Sequence, residues 1–398
     1  MRRSALPGGF SLAFYLAFLS AILQYSSASL LLTPLPVYIE ELGGGPAEVG
    51  LSGTIVALTA LAFRPYMGRL ADTRGRKPTL LIGASMYVVA SLGYAVSDSI
   101  PVFLVARVIQ GIGISAFTSA FGAYVADVTP PARWGEALGI AGTSMAVATM
   151  VAPPIGAALI GHLALRGIFL IAAMTALAAL GVTLLLREPQ KEPQTRHAGS
   201  PDLPRAIEVV RLRGVLVPSV ANLTLGVAQG TFMTFLPLFV RDRGLGNAGF
   251  FFTMMSGFSI VAAFSMGRLS DRVGRPAVAL PMFLILALGS GSLVWTYSFA
   301  MLLLVAAVIG IGVGGARVGL ESMLVDAAPA SLRGTAFGLL YLCFDIGIAS
   351  GSMAGGLLAS FTDYGTLYAL VGVICLLTTG AFGAVTREER SSRGNRQI

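Results

Sequence analysis

Apolar stretches of about twenty residues follow one another almost from end to end of this chain. A helix needs about 20 such residues to cross roughly 30 Å of hydrocarbon. The pattern predicts spanning helices near 10–32, 47–66, 79–97, 101–125, 136–160, 166–186, 214–240, 247–266, 277–297, 300–325, 335–359 and 366–386. A membrane β-barrel would instead show segments of about ten residues with alternating polarity. Runs such as Leu30-Leu31-Leu32 and Leu302-Leu303-Leu304-Val305 stay apolar on both alternations. Composition agrees, with 55% hydrophobic and only 12% charged residues, where a soluble domain carries roughly 25% charged. Mean hydropathy is +0.79. The expected fold class is an all-α membrane protein with twelve transmembrane helices.

The net charge of +8 does not point to nucleic acid, because the cations sit in short connections between apolar runs. In a membrane protein such a bias sets orientation. Of the 27 Lys and Arg, an arrangement with both termini inside puts Arg166, Arg241 and Arg243 outside and Arg107 and Arg317 within spans, leaving 22 on the cytoplasmic side. Both termini are therefore expected in the cytoplasm of a multi-pass inner-membrane protein. The first apolar run is too long for a signal-peptide core and reads as a retained helix. Cys343 and Cys375 lie inside apolar runs, and His162 and His197 in connections far apart in sequence, so neither a disulfide frame nor a metal set is expected.

The stretch Arg187 to Arg213 holds ten charged residues and the prolines Pro189, Pro193, Pro201 and Pro204, so it cannot span lipid. Its tail, Arg205 to Arg211, has the pattern of a short amphipathic surface helix. The expected domains are an N-terminal six-helix bundle (1–186), a cytoplasmic linker (187–213) and a C-terminal six-helix bundle with a cytoplasmic tail (214–398). The halves also repeat. Gly68-Arg-Leu-Ala-Asp72-Thr-Arg-Gly75-Arg76 returns as Gly267-Arg-Leu-Ser-Asp271-Arg-Val-Gly274-Arg275, an offset of 199 residues that also carries Asp127 onto Asp326, Gly139 onto Gly338 and Gly156 onto Gly355. Each copy follows an even number of helices, so the repeat is parallel, about an axis along the membrane normal.

The segment Gly68 to Lys77, with its second copy, resembles the signature loop of the major facilitator superfamily, and the resemblance covers the whole chain. Thr73 departs from the Arg often found there, and Pro276 replaces the basic residue that matches Lys77. Gly68 and Gly75 permit close approach and a tight turn, while Asp72 can accept from a helix N-terminus or pair with an Arg. The resemblance implies a gating role for Gly68, Asp72, Gly75, Arg76, Gly267, Asp271, Gly274 and Arg275. It places the partners of Asp72 at the start of the eleventh helix, latching the cytoplasmic side in the outward-open state.

Arg107-Val-Ile-Gln110-Gly resembles a second motif of the family, and Arg107, Gln110, Gly111, Ser115, Thr118 and Gly122 recur at helical spacing. An Arg within a span calls for a partner or an aqueous cavity. Gly139, Pro153 and Gly156 on the fifth helix partly match the antiporter motif of the drug/proton branch, with Ala at three positions where Gly is usual. Gln24, Tyr25, Arg107, Gln110, Ser115, Asn222, Gln229, Arg317, Tyr341 and Phe344 are the candidates for a substrate cavity, expected near the midplane at the repeat interface.

The expected activity is proton-coupled export of small amphipathic organic molecules by alternating access. The alternative is a proton symporter importing a sugar or an organic anion held by Arg107 and Arg317; a membrane sensor or enzyme is the remote one. The sequence has no nucleophile–base pair, His/Glu metal set or Walker-type loop, so the chain is read as no enzyme and without cofactor. The partners expected are a small-molecule substrate, protons and the lipid bilayer, with the chain acting as a monomer. For coupling, Asp345 is the one acid placed near the middle of a span, with Tyr341 and Ser352 near its face. Glu321 competes with it but has Arg317 one turn away; Arg107 and Arg317 complete the coupling set.

Overall fold

A computed structural model describes residues 9–189, 212–329 and 332–394. Most of the linker, including Arg205 to Arg211, lies outside the described residues, as does the side chain of Asp271. Among the described residues every regular element is helical. Numbered along the chain, they are α1 (Leu12–Leu30), α2 (Pro34–Glu41), α3 (Pro46–Thr73), α4 (Arg76–Val96), α5 (Ile100–Asp127), α6 (Trp134–Ile160) and α7 (Leu165–Leu185), followed by α8 (Arg213–Asp242), α9 (Gly249–Val273), α10 (Arg275–Ser292), α11 (Phe299–Ala327), α12 (Arg333–Ala359) and α13 (Tyr364–Gly394). Twelve stretches are long and apolar enough to cross a membrane.

Two departures from the expected spans have local causes. The first span continues past residue 32, because α2 extends it to Glu41 after a break at Leu31–Thr33. Pro34 stands at the first position of α2, where its missing N–H costs nothing. The signature loop is shorter than expected, since α3 runs to Thr73 and α4 begins at Arg76. Asp72 is thus on the last turn of a helix, and the loop is Arg74-Gly75.

The chain forms two compact units, Met1–Thr195 with Asn247–Thr253, and Arg196–Gly246 with Met254–Ile398. Small residues set the helix spacing within each. In the first, a Cβ on Gly156 of α6 would run into the carbonyl oxygen of Leu30 on α1. In the second, α8 and α12 interlock through Gly226, where a Cβ would strike Phe344 O, and Gly347, where it would strike Leu223 O. The glycine run of α11 does the same, with Gly310 against Met255 O, Gly314 against Ser259 O and Gly312 against Leu286 N at 2.7 Å. Such contacts hold membrane helices together by close packing, since lipid tails supply no hydrophobic drive between helices.

Hydroxyl groups tie a further seam. Ser27 Oγ donates to Ala172 O at 2.8 Å, and Ser20 Oγ shares a hydrogen bond of 2.6 Å with Thr183 Oγ1, joining α1 to α7. Pro154 inside α6 has no N–H for Met150 O. Thr253 Oγ1, in the segment belonging to the first unit, donates to that carbonyl instead at 2.6 Å, and Asn247 Nδ2 donates to Pro154 O at 2.9 Å.

Candidate functional site: charged groups at the signature loop and inside the spans

The signature loop is a hydrogen-bonded cluster. Gly75 has φ +119°, a conformation that L side chains rarely adopt, and it turns the chain from α3 into α4. Arg76 then reaches back to Asp72 Oδ1 at 2.5 Å and across to Asp127 Oδ2 on α5 at 3.1 Å. Glu188, just after α7, closes the start of α4 by accepting the backbone N–H of Arg76 and of Lys77. Lys77 Nζ donates to Leu184 O and Tyr124 Oη to Arg187 O, so α4, α5 and α7 meet here.

The second copy reproduces the central pair. Arg275 Nε donates to Asp326 Oδ2 at 3.0 Å, and Gly274 has φ +95°. Both pairs are 51 residues apart in sequence, so the repeat read at an offset of 199 is a repeat of geometry. Gly68 and Gly267 face no tight contact, the nearest atom to a Cβ on Gly267 being Val318 Cγ1 at 3.8 Å.

Inside the first unit, Arg107 lies eight positions into α5. Its Nε donates to Ser52 O on α3 at 3.2 Å and its Nη1 to Gln110 Oε1 at 2.7 Å. Gln110 Oε1 also accepts from Tyr94 Oη at 2.8 Å. The arginine is half-buried, and Gln110 is buried. Gly111 on the same stripe packs against Val56 O and Thr59 of α3. Ser115 is fully buried, and its hydroxyl has no partner among the described residues. The same holds for both amide atoms of Gln24, although its neighbours Ser20 and Ser27 are bonded to α7. Tyr25 sets its ring edge-on to Phe117 at 5.8 Å.

In the second unit, Arg317 and Glu321 pair at 3.6 Å one turn apart on α11. Tyr341 Oη on α12 donates to Glu321 Oε1 at 3.1 Å, and the Arg317 guanidinium lies 5.1 Å from the Phe344 ring centroid, within cation–π range. Four of the expected residues therefore form one cluster, in which Arg317 is engaged by Glu321. Asp345 is half-buried near the middle of α12. Asn222 is committed to a helix contact, its Nδ2 donating to Leu340 O at 2.9 Å. Gln229 is half-buried, and Ser352 is spent on Thr234 and Gly230 O.

These intramembrane charges break the repeat. At the same offset of 199, Arg107 meets Ala306, Arg317 meets Thr118, Glu321 meets Gly122 and Asp345 meets Ala146. The charges at the signature loop occur twice, whereas those inside the spans occur once. Sequence reasoning missed Tyr94, Ser52 and Glu188. Tyr94 sits in an apolar run, Ser52 contributes only its backbone, and Glu188 reads as one linker charge among ten.

The model of the Major Facilitator Superfamily matches residues 17–265 and 245–397. The chain belongs to the major facilitator superfamily. It is a multi-pass membrane transporter, not an enzyme. It is 27% identical over 377 residues to the multidrug resistance protein MdtG of Escherichia fergusonii, with 90% of this chain and 91% of that protein covered. It is 24% identical over 369 residues to the multi-drug resistance efflux pump PmrA of Streptococcus pneumoniae, covering 89% and 90%. Among solved structures, the nucleoside transporter NupG superposes with a TM-score of 0.78 at 16% identity, covering 94% of this chain and 99% of that one. That likeness is one of fold.

Proposed function

We propose that this transporter exports small amphipathic organic molecules in exchange for protons, by alternating access, as a monomer in the inner membrane with both termini cytoplasmic. The observation that carries the reading is the alignment with MdtG and PmrA, whose names describe multidrug resistance and efflux, over about nine-tenths of both partners. The partial antiporter motif at Gly139, Pro153 and Gly156 supports the same direction.

Asp345 is the proposed coupling group. Among the described residues of the first unit, every Asp and Glu lies in a connection or within three residues of a helix end. A carboxylate-based coupling site therefore falls in the second unit, on Asp345 or Glu321. Asp345 stands at the middle of α12, whereas Glu321 lies in the last two turns of α11. An intramembrane carboxylate can load and release a proton as access alternates. The signature-loop cluster is assigned to gating, with Asp72 and Arg76 tuning the balance of states.

The test is transport in liposomes under an imposed pH gradient, with a panel of cationic, neutral and anionic fluorescent amphipaths. Proteoliposomes with an acidic lumen should accumulate at least one of them. Asp345→Asn should abolish that accumulation and keep equilibrium exchange. Absence of accumulation with the lumen acidic, or accumulation only with the lumen alkaline, sinks the exporter reading. Unchanged accumulation by the variant removes Asp345 from the coupling role.

A further inference from the structure

We infer that the Arg317–Glu321 pair of α11, with the aromatic strip of α12, is a binding site for aromatic zwitterions, molecules that carry an ammonium and a carboxylate side by side at one end of a ring system. The inference rests on the reading of the chain as an exporter of small amphipathic molecules. Both charges lie in the second half of a spanning helix. Their side chains are nonetheless open, Arg317 to 46% and Glu321 to 31%. A charge turned toward hydrocarbon is expensive, so the open side of the pair faces water. The pair is also loose. Arg317 Nε comes only to 3.6 Å from Glu321 Oε1, beyond hydrogen-bond distance, and the guanidinium makes no hydrogen bond among the described residues. An open ion pair of this kind contributes little, so a ligand can separate it.

The neighbouring helix positions both charges. Tyr341 Oη donates to Glu321 Oε1 at 3.1 Å, and the Phe344 ring centroid lies 5.1 Å from the Arg317 guanidinium. Phe337 stacks on Tyr341 with ring centroids 6.2 Å apart. Phe337, Tyr341 and Phe344 follow one another at helical spacing, which puts them on one side of α12. Tyr341 is exposed and the other two are half-buried. The result is an aromatic wall with one cation and one anion at its edge. The guanidinium can take a carboxylate and the Glu321 carboxylate an ammonium, each through charge-assisted hydrogen bonds. An acid or an amine alone meets its like charge beside its partner, whereas a zwitterion balances both. Packing of the repeat does not require these groups, because at offset 199 the five positions hold Thr118, Gly122, Leu138, Gly142 and Met145. In the proposed orientation the cluster lies in the cytoplasmic half of its spans, the side from which an exporter loads.

Binding to the purified full chain in detergent at pH 7, with no gradient, tests this site apart from export. The probes share one ring system: 3-(2-naphthyl)alanine, its deaminated analogue 3-(2-naphthyl)propanoate and its decarboxylated analogue 2-(2-naphthyl)ethylamine. The zwitterion should bind roughly tenfold more tightly than either, the size expected of one charge-assisted contact. Glu321→Gln should bring the zwitterion within about twofold of the propanoate, and Arg317→Gln within about twofold of the amine. Each single variant leaves a charge without its counter-ion in a span, so the double variant decides the matter if either fails to fold. With both groups neutral, the three probes should bind within about twofold of one another. Binding of the propanoate or the amine as tightly as the zwitterion by the unmodified protein, binding of none of the three, or a zwitterion preference that survives in the double variant overturns the proposal. Accumulation of amphipaths under a pH gradient without the zwitterion preference removes this site and leaves the export reading standing. The preference without any accumulation does the reverse.

Discussion

Glu188, three residues beyond α7, accepts the backbone N–H of Arg76 at 2.7 Å through one oxygen and that of Lys77 at 2.8 Å through the other. A carboxylate at the first turn of α4 satisfies orphan donors and favours the helix dipole. Because Glu188 is exposed, its removal should cost only about 0.5–1 kcal/mol. Glu188→Ala is expected to lower the thermal midpoint of the purified protein slightly, and Glu188→Gln to lower it less. Gly75→Ala should be worse than either, since it adds a strained φ and a Cβ 2.6 Å from Glu188 Oε1. Thermal denaturation in detergent ranks the three.

Arg76 joins Asp72 and Asp127, so the three should act as a unit. Asp72→Asn is expected to cut transport strongly while leaving substrate affinity within about threefold, because Asp72 pairs with Arg76 on the last turn of α3 and not inside a span. Arg76→Ala combined with Asp127→Ala should be little worse than Arg76→Ala alone. Transport rates and probe affinities measured on the same preparations check both statements. A large affinity loss with normal conformational cycling would refute the assignment to gating.

Two glycines of the antiporter-like motif have opposite surroundings. Gly139 has nothing within 4 Å of a Cβ, while a Cβ on Gly156 meets the backbone of Leu30. Gly139→Ala should fold and transport as the parent does. Gly156→Ala must push α1 and α6 apart, at about 1–3 kcal/mol for an overpacked contact. The expected signature is a lower yield of monodisperse protein and a depressed thermal midpoint for Gly156→Ala only.

The orientation drawn from the cation count is open to a direct check. A cysteine at Gly246 should react with an impermeant maleimide from outside intact cells. One at Arg196, in the linker beyond the described residues, should react only after permeabilisation. The reverse pattern would invert the topology.

Membrane class, helix number and the repeat were all legible in the sequence, because each rests on a local property. Twenty apolar residues form a helix in lipid whatever surrounds them, since the backbone must satisfy its own hydrogen bonds there. The offset of 199 that aligns Asp72 with Asp271 likewise needs no coordinates, and the paired geometry of Arg76–Asp127 and Arg275–Asp326 follows from it. Helix ends were less legible: residues 67–73 read as a polar loop because their hydropathy falls, yet α3 runs on to Thr73.

The state of each polar side chain was decided by tertiary structure. Asn222 and Gln229 stand on one face of α8 at helical spacing, but one is bound to Leu340 O and the other has no partner among the described residues. Arg107 and Arg317 look alike as intramembrane arginines, yet Arg317 has the Glu321 carboxylate one turn away, while Arg107 is met by the carbonyl of Ser52, the amide of Gln110 and the hydroxyl of Tyr94. Hydrophobic pattern places a residue in a helix and a helix in the bilayer. The partner it finds there depends on which neighbouring helix supplies an atom within about 3 Å, and that distance is set by packing between segments far apart in the chain.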